Sequence, residues 1–279
     1  MAQLELPEIE TYRRDLERDA VGRKIKSVDV NAMKSLPHHR TKKTVSDPLV
    51  GAKIAAVERR GMQLLLTLNN DHTIVISLGE TGYLWRGATR ESEQDDVQVV
   101  ITFTQGGDLR LIDADATSEL AVVANDALDE VLVPESELGL DLMVRPVTWM
   151  EFRQIVLSRN DKLKAMLLSP EAFVGIGDIY SDEILFDAGL KYDRPCSSLT
   201  TQEVRRLYQS IVGIMHEAIK YRGTSLERRP FFDLNNAEGE YASHLAVYGR
   251  EGDLSQRSRR PIRKATFMKK PVYFCDTQV

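Results

Sequence analysis

Apolar and polar positions alternate along much of the first half of the chain. Short runs at 53–57, 63–68, 73–78, 97–103 and 109–113 are β-branched or repeat with period two, the spacing of strands with a buried face. Asn69-Asn70-Asp71 and Gln105-Gly106-Gly107-Asp108 separate some of these runs as hairpin turns. Several strands at regular spacing predict a β-sandwich. One helix opens this half, where Leu6-Pro7 leads into residues 8–18, polar on most faces.

The second half changes period. Residues 148–158 and 162–168 place apolar side chains at helical spacing, and 179–188 reads as a short helix stopped by Gly189. The clearest helix runs from Thr200 to about Tyr221. Thr200 and Glu203 form a capping box, Val204, Leu207, Tyr208, Ile211, Val212, Met215 and Ile219 form one apolar stripe, and Gly223 ends it. After Arg250 the chain is polar, basic and strand-prone, with no evident core of its own. Pro134, Gly139 and Pro146 punctuate the junction of the halves. The predicted class is therefore α+β: a sandwich with flanking helices over 1–135, a linker at 136–147, a helical domain over 148–245 and a β-hairpin over 246–279. No internal repeats or low-complexity tracts appear.

Composition narrows the function classes. At 279 residues, with 42% hydrophobic and 28% charged positions, the chain has enough material for buried cores without staples. No apolar run approaches the ~18 residues that span a bilayer. The start lacks the charged and apolar regions of a signal peptide. Two cysteines, Cys196 and Cys275, cannot make a disulfide framework, and they suit a reducing cytoplasm. No membrane partner is expected, and a monomer is.

The net charge of -5 argues against a uniformly basic nucleic-acid binder. Charge is uneven, however. Residues 108–141 hold ten acidic residues and one basic one, Arg110, whereas 249–271 hold eight basic and two acidic ones. Two readings stand side by side: a solvated acidic loop with a solvated basic tail, or a basic hairpin that meets a polyanion.

The stretch Phe173-Val174-Gly175-Ile176-Gly177-Asp178-Ile179-Tyr180-Ser181-Asp182-Glu183-Ile184-Leu185 places two glycines at the mouth of a helix, where backbone N–H groups can face an anion. It resembles the helix–two-turn–helix signature of the formamidopyrimidine-DNA glycosylase/endonuclease VIII family. Leu6-Pro7-Glu8-Ile9-Glu10-Thr11, Arg59-Arg60-Gly61, Ser77-Leu78-Gly79-Glu80-Thr81-Gly82, Arg222-Gly223-Thr224 and Val247-Tyr248-Gly249-Arg250 resemble further family segments, in order, over nearly the whole chain. The resemblance implies a sandwich domain, a helix–two-turn–helix domain and a finger hairpin, with DNA held in a cleft between the domains.

It also implies a chemistry that this chain departs from. Family members attack the sugar with the secondary amine of an N-terminal proline. The matching residue here is Leu4, with three residues before it. The family acids remain as Glu5 and Glu8. The phosphate-contacting lysine after Arg-Arg-Gly is Met62, the asparagine after Gly-x-Gly is Asp178, and the arginine of the hairpin tip matches Lys270. The wedge that fills the gap left by an everted base is Glu80, and the second such loop aligns with 113–120. Of the four finger cysteines only Cys275 remains, the others matching Ser255, Ser258 and Gln278, so no zinc and no other cofactor is expected. Residues expected to meet DNA are Arg159, Lys162, Lys164, Gly175, Gly177, Tyr180, Arg263, Lys264 and Lys270.

Three functions follow. The chain is an inactive family member that binds double-stranded or damaged DNA or has been re-tasked. Alternatively it is an active glycosylase for oxidised bases that uses Glu5 or the Ala2 amine. Or it is a scaffold for a protein partner that no longer touches DNA.

Overall fold

A computed structural model describes residues 4–87, 96–144 and 147–279. The chain forms two compact units. The first comprises Leu4, Glu8–Pro134 and Arg222–Gly239; the second comprises Glu5–Pro7, Glu135–Tyr221 and Glu240–Val279.

Among the described residues the first unit is built on eight strands: β1 (Ile25–Val30), β2 (Ile54–Arg60), β3 (Gln63–Leu68), β4 (His72–Ser77), β5 (Tyr83–Gly87), β6 (Val97–Phe103), β7 (Asp108–Ile112) and β8 (Glu119–Ala124). They pair as two antiparallel four-stranded sheets, ordered β1-β6-β7-β5 and β2-β3-β4-β8. One core takes Val99, Ile101, Leu109 and Leu111 from the first sheet and Leu64, Leu66, Ile74, Ile76, Leu120 and Val122 from the second. This is the expected sandwich.

Two helices flank it, α1 (Leu6–Ala20) and α2 (Lys42–Leu49). Ile9, Tyr12, Leu16 and Ala20 of α1 lie three or four residues apart and all enter that core. The residues 63–68 and 97–103 form strands as the pattern predicts. Strands β1, β5 and β8 and helix α2 escape the pattern. In β1 only Ile25 and Val30 are buried, too few to read as alternation. The apolar Leu120-Ala121-Val122-Val123 of β8 sits inside the acidic run, where charge masks it.

That acidic run is solvated over most of its length, with Asp115, Glu119, Asp126, Asp129, Glu130, Glu135 and Glu137 exposed, but not at two of its residues. Asp108 and Asp113 are buried at 3% and 0% exposure. Asp108 is held by Arg110, and Asp113 accepts from the backbone N–H groups of Thr117 (2.9 Å) and Ser118 (2.6 Å).

The second unit holds α3 (Trp149–Leu157), α4 (Leu163–Leu167), α5 (Asp178–Ala188) and α6 (Thr201–Lys220), then the hairpin β9 (Arg263–Phe267) and β10 (Lys270–Phe274). Thr200 and Glu203 cap α6 reciprocally, as their spacing predicts. Gly189 closes α5 at φ 69°, in the left-handed region that glycine tolerates.

Three expectations change. Residues 136–147 do not run free. Gly139 and Leu140 donate to the carbonyls of Pro170 and Ala172 at 2.9 Å each, and Leu140 is buried. Arg145 and Pro146 lie outside the described residues. The segment Arg222–Gly239 leaves the helical domain to which its position assigned it. Phe231 and Leu234 join the sandwich core, and Arg222 pairs with Asp15 and Asp233. The basic tail also has a core: Ile262 and Cys275 pack with Phe186 and Val247, backed by Tyr273. Among the described residues no helix is long and apolar enough to cross a membrane.

Candidate nucleic-acid interface

Leu4 is half-buried, with its side chain against the sandwich core. Ala2, the alternative amine, lies outside the described residues.

Glu5 is 3% exposed and belongs to the second unit. Its Oε2 accepts from the backbone N–H groups of Gly177 (2.7 Å) and Tyr180 (3.2 Å), and its Oε1 from that of Ile179 (3.0 Å). Those are the donors left open at the start of an α-helix, so Glu5 caps α5 with a full negative charge where the helix dipole favours one. The contact also explains Gly177, since a Cβ there would lie 2.4 Å from the Glu5 carboxyl carbon. Gly175 has φ +63° and accepts from the Leu6 N–H at 2.8 Å. The glycine pair thus seats a carboxylate of the chain itself.

Glu8 is likewise buried and accepts from the Thr224 N–H at 2.8 Å. Gly223, at φ +83°, leaves no room for a Cβ beside Glu8. The Arg-Gly-Thr motif therefore anchors α1 within the first unit. Arg59 is buried against Glu10 and the Gly61 carbonyl, and Met62 rests on the sandwich core. Glu80 is exposed on the β4–β5 loop, which packs tightly against residues 117–118, since a Cβ on Gly79 would meet Thr117 at 2.0 Å.

Lys164 corrects the sequence reading most sharply. Expected on a surface that meets phosphates, it is fully buried. Its Nζ donates to Asp182 Oδ1 (2.6 Å), Ser181 Oγ (3.0 Å) and the Asp178 carbonyl (3.3 Å). Asp182 Oδ2 accepts from the Tyr273 N–H at 2.9 Å, tying the hairpin to α5. Burial pushes the Asp182 carboxyl up, against the pull of Lys164 and the Tyr273 N–H.

Next along α5, Glu183 accepts from the backbone N–H groups of Ala246 (2.8 Å), Val247 (2.9 Å) and Tyr248 (2.8 Å). Burial raises its carboxyl, against those three bonds. Asp182 and Glu183 are the functional-looking pair that the sequence motif alone gives no role. The available signal was two adjacent carboxylates in a helix whose other faces are apolar. Tyr180 is fully buried, its ring 5.8 Å from that of Tyr241.

The other expected cations lie at the surface or half-buried, several of them engaged. Arg159 lies 3.3 Å from Asp161, Arg263 2.5 Å from Asp276 and Lys264 3.8 Å from Glu251. Lys162 is exposed, 5.8 Å from the Phe267 ring. Lys270 Nζ donates to Asp178 Oδ2 at 2.9 Å.

The four finger positions do converge. Ser258 Oγ and Cys275 Sγ lie 3.2 Å apart, and Ser255 Oγ accepts from the backbone of Arg257 (3.3 Å) and Ser258 (3.5 Å). The Gln278 carboxamide accepts from the Cys275 N–H at 2.7 Å and donates to the Leu190 carbonyl at 2.8 Å. Burial pushes the Cys275 thiol up, but the hydrogen bonds of Ser258 and Thr277 outweigh it and hold the thiol below its ordinary value. One thiol, two hydroxyls and a carboxamide already committed at both ends do not suit zinc. Hydrogen bonds and the Phe186–Val247–Ile262 cluster hold these positions together.

The chain thus folds as a β-sandwich unit and a helical unit that ends in a β-hairpin, with α5 capped by Glu5. Residues 4–118 match the formamidopyrimidine-DNA glycosylase N-terminal domain, and residues 138–229 match the H2TH domain of the same family. The formamidopyrimidine-DNA glycosylase of Pelotomaculum thermopropionicum is 33% identical over 276 residues, covering 98% of each chain. That of Heliobacterium modesticaldum is 33% identical over 278 residues, covering 97% of this chain and 98% of its own. The chain belongs to the formamidopyrimidine-DNA glycosylase family. Among solved structures, Lactococcus lactis Fpg in complex with abasic-site DNA superposes with a TM-score of 0.87 at 24% identity over 99% of both chains, a likeness of fold. A complex of the same Lactococcus protein with THF-DNA and an inhibitor gives 0.86 at 25% identity over 97% of both.

Proposed function

We propose that this chain is a family member without the proline-dependent base-excision and strand-cleaving chemistry, retained as a nucleic-acid-binding protein. The observation that carries the reading is at position 4, where a leucine packed on the sandwich core offers no amine to a sugar carbon. The state of Glu5 supports it. A carboxylate whose two oxygens accept three backbone N–H groups is occupied as a helix cap, which leaves the water-activating alternative without a disengaged base. The solved Lactococcus relatives are complexes with abasic-site and THF-DNA, and damaged duplex is accordingly the proposed ligand. The bacterial relatives make the cytoplasm the proposed setting.

The test is borohydride trapping on an abasic duplex, with a binding titration on the same duplex at two salt concentrations. Salt-dependent binding without a covalent adduct is expected. A trapped adduct, or release of an oxidised base that is lost in Glu5→Gln, would overturn the reading.

A second reading, a protein-interaction scaffold that no longer touches DNA, is favoured by the pairing of Lys270 with Asp178 and by the burial of Lys164. Absence of binding even at low salt selects it.

A further inference from the structure

At the N-terminus of α5, two carboxylates of this chain stand where a helix dipole and open N–H groups otherwise favour an external anion. Glu5 takes the N–H groups of Gly177, Ile179 and Tyr180. Asp178, in the first turn, points its Oδ2 at the hairpin and holds Lys270 Nζ at 2.9 Å, while its Oδ1 is buried with no hydrogen-bond partner. The Asp178 side chain is only 11% exposed, against 59% for Lys270. The long cation has thus come to a carboxylate fixed in the fold, ninety-two positions away in sequence.

The hairpin tip makes that grip consequential. Met268 and Lys269 turn the chain at φ 51° and 64°, a left-handed conformation that Asn and Gly adopt readily and that other residues disfavour. Lys270 is the next residue, and the tip is otherwise exposed, Met268 at 60%. Its contact with Asp178 fastens a strained turn to α5.

We infer that Asp178 is an internal stand-in for a phosphate, a latch that occupies Lys270, pins the β9–β10 tip to α5 and holds down the affinity of this face for nucleic acid. The inference rests on the nucleic-acid-binding reading above for its consequence, though not for the contact itself. A phosphate that approached Lys270 would have to displace Asp178, leaving a buried carboxylate with neither oxygen partnered beside a second anion. Replacing Asp178 by asparagine keeps the shape, removes the charge and frees Lys270.

The experiment compares wild type, Asp178→Asn and the double variant Asp178→Asn/Lys270→Ala on a 25-base-pair duplex carrying a tetrahydrofuran abasic analogue, by fluorescence anisotropy between 50 and 200 mM salt. Amide hydrogen exchange is followed at the hairpin tip in each. One released cation that meets one phosphate steepens the slope of log affinity against log salt by about 0.9 and tightens binding roughly fivefold at 0.15 M. The expected result is that gain in Asp178→Asn, its loss in the double variant, and faster exchange at 268–271. Wild-type binding that Asp178→Asn leaves unchanged in affinity and slope overturns the latch. Absence of binding by every variant at 50 mM overturns the nucleic-acid reading instead. Exchange then decides the contact by itself: faster exchange in Asp178→Asn upholds the latch, and unchanged exchange removes it. Should Asp178→Asn not fold, Asp178→Ser, smaller and also neutral, carries the same expectations.

Discussion

Replacing Glu5 by glutamine separates a cap from a catalyst. The change is nearly isosteric but exchanges one acceptor oxygen for a donor NH2. Oε2 now accepts from Gly177 at 2.7 Å and Tyr180 at 3.2 Å, and Oε1 from Ile179 at 3.0 Å. If the amide oxygen takes the Oε2 place, the NH2 faces the Ile179 N–H and strands one buried donor. If it takes the other, two donors are stranded. Each unsatisfied buried N–H costs about 1–3 kcal/mol, and loss of the charge at the helix terminus a further ~0.3–1 kcal/mol. The better orientation therefore predicts a loss of about 1–4 kcal/mol, borne by the second unit. Urea denaturation followed by tryptophan fluorescence and far-ultraviolet circular dichroism measures it by linear extrapolation. Hydrogen exchange at 177–180 should locate it at the start of α5. A Glu5→Gln protein within 0.5 kcal/mol of wild type, with unchanged protection at those amides, would refute the capping argument.

Lys164→Met should destabilise the second unit by about 3–5 kcal/mol, because it leaves the buried Asp182 uncompensated. Adding Asp182→Asn should recover part of that loss, and a double variant no more stable than Lys164→Met would contradict the pairing. The Arg194 guanidinium bonded to Glu203, with the N–H and hydroxyl of Thr200, holds the Glu203 carboxyl down at about 2, below its ordinary 4.5. Its stabilisation is therefore complete above pH ~4.5 and is lost as pH falls toward 2. Glu203→Gln should flatten stability against pH in that window, and a slope identical to wild type counts against the ion pair. Wild-type protein should carry substoichiometric zinc by elemental analysis and melt at the same temperature with or without chelator. The triple variant Ser255→Cys/Ser258→Cys/Gln278→Cys should bind one Co(II) per chain with thiolate charge-transfer absorption; its absence would show that the four positions do not converge as described.

Much of this protein is legible along the chain because it is local. A short apolar run marks β3 and near-alternation marks β6, the three-residue spacing of Thr200 and Glu203 marks the start of α6, and Gly189 marks the end of α5 by the backbone angle it permits. Glycines so close to a helix start, with an acid four residues before Ile9, were enough to place the motifs in order. Strands escaped wherever burial touched only their ends, as in β1, or wherever neighbouring charge outweighed four apolar residues, as in β8.

Partnership is what one dimension does not encode. Glu5 reads as a retained family acid until residues 177–180 are brought to it, and Lys164 reads as a surface cation until Asp182 and Ser181 enclose it. Charged side chains carry no periodic signature of what neutralises them. A buried charge survives only when the fold delivers a counter-charge or a set of N–H donors within about 3 Å, and that delivery depends on contacts hundreds of residues or one helical turn away alike. The order of elements and the residue types at each position were thus set by sequence. Whether Asp178 and Lys270 face solvent or each other was decided only when α5 and the hairpin packed together.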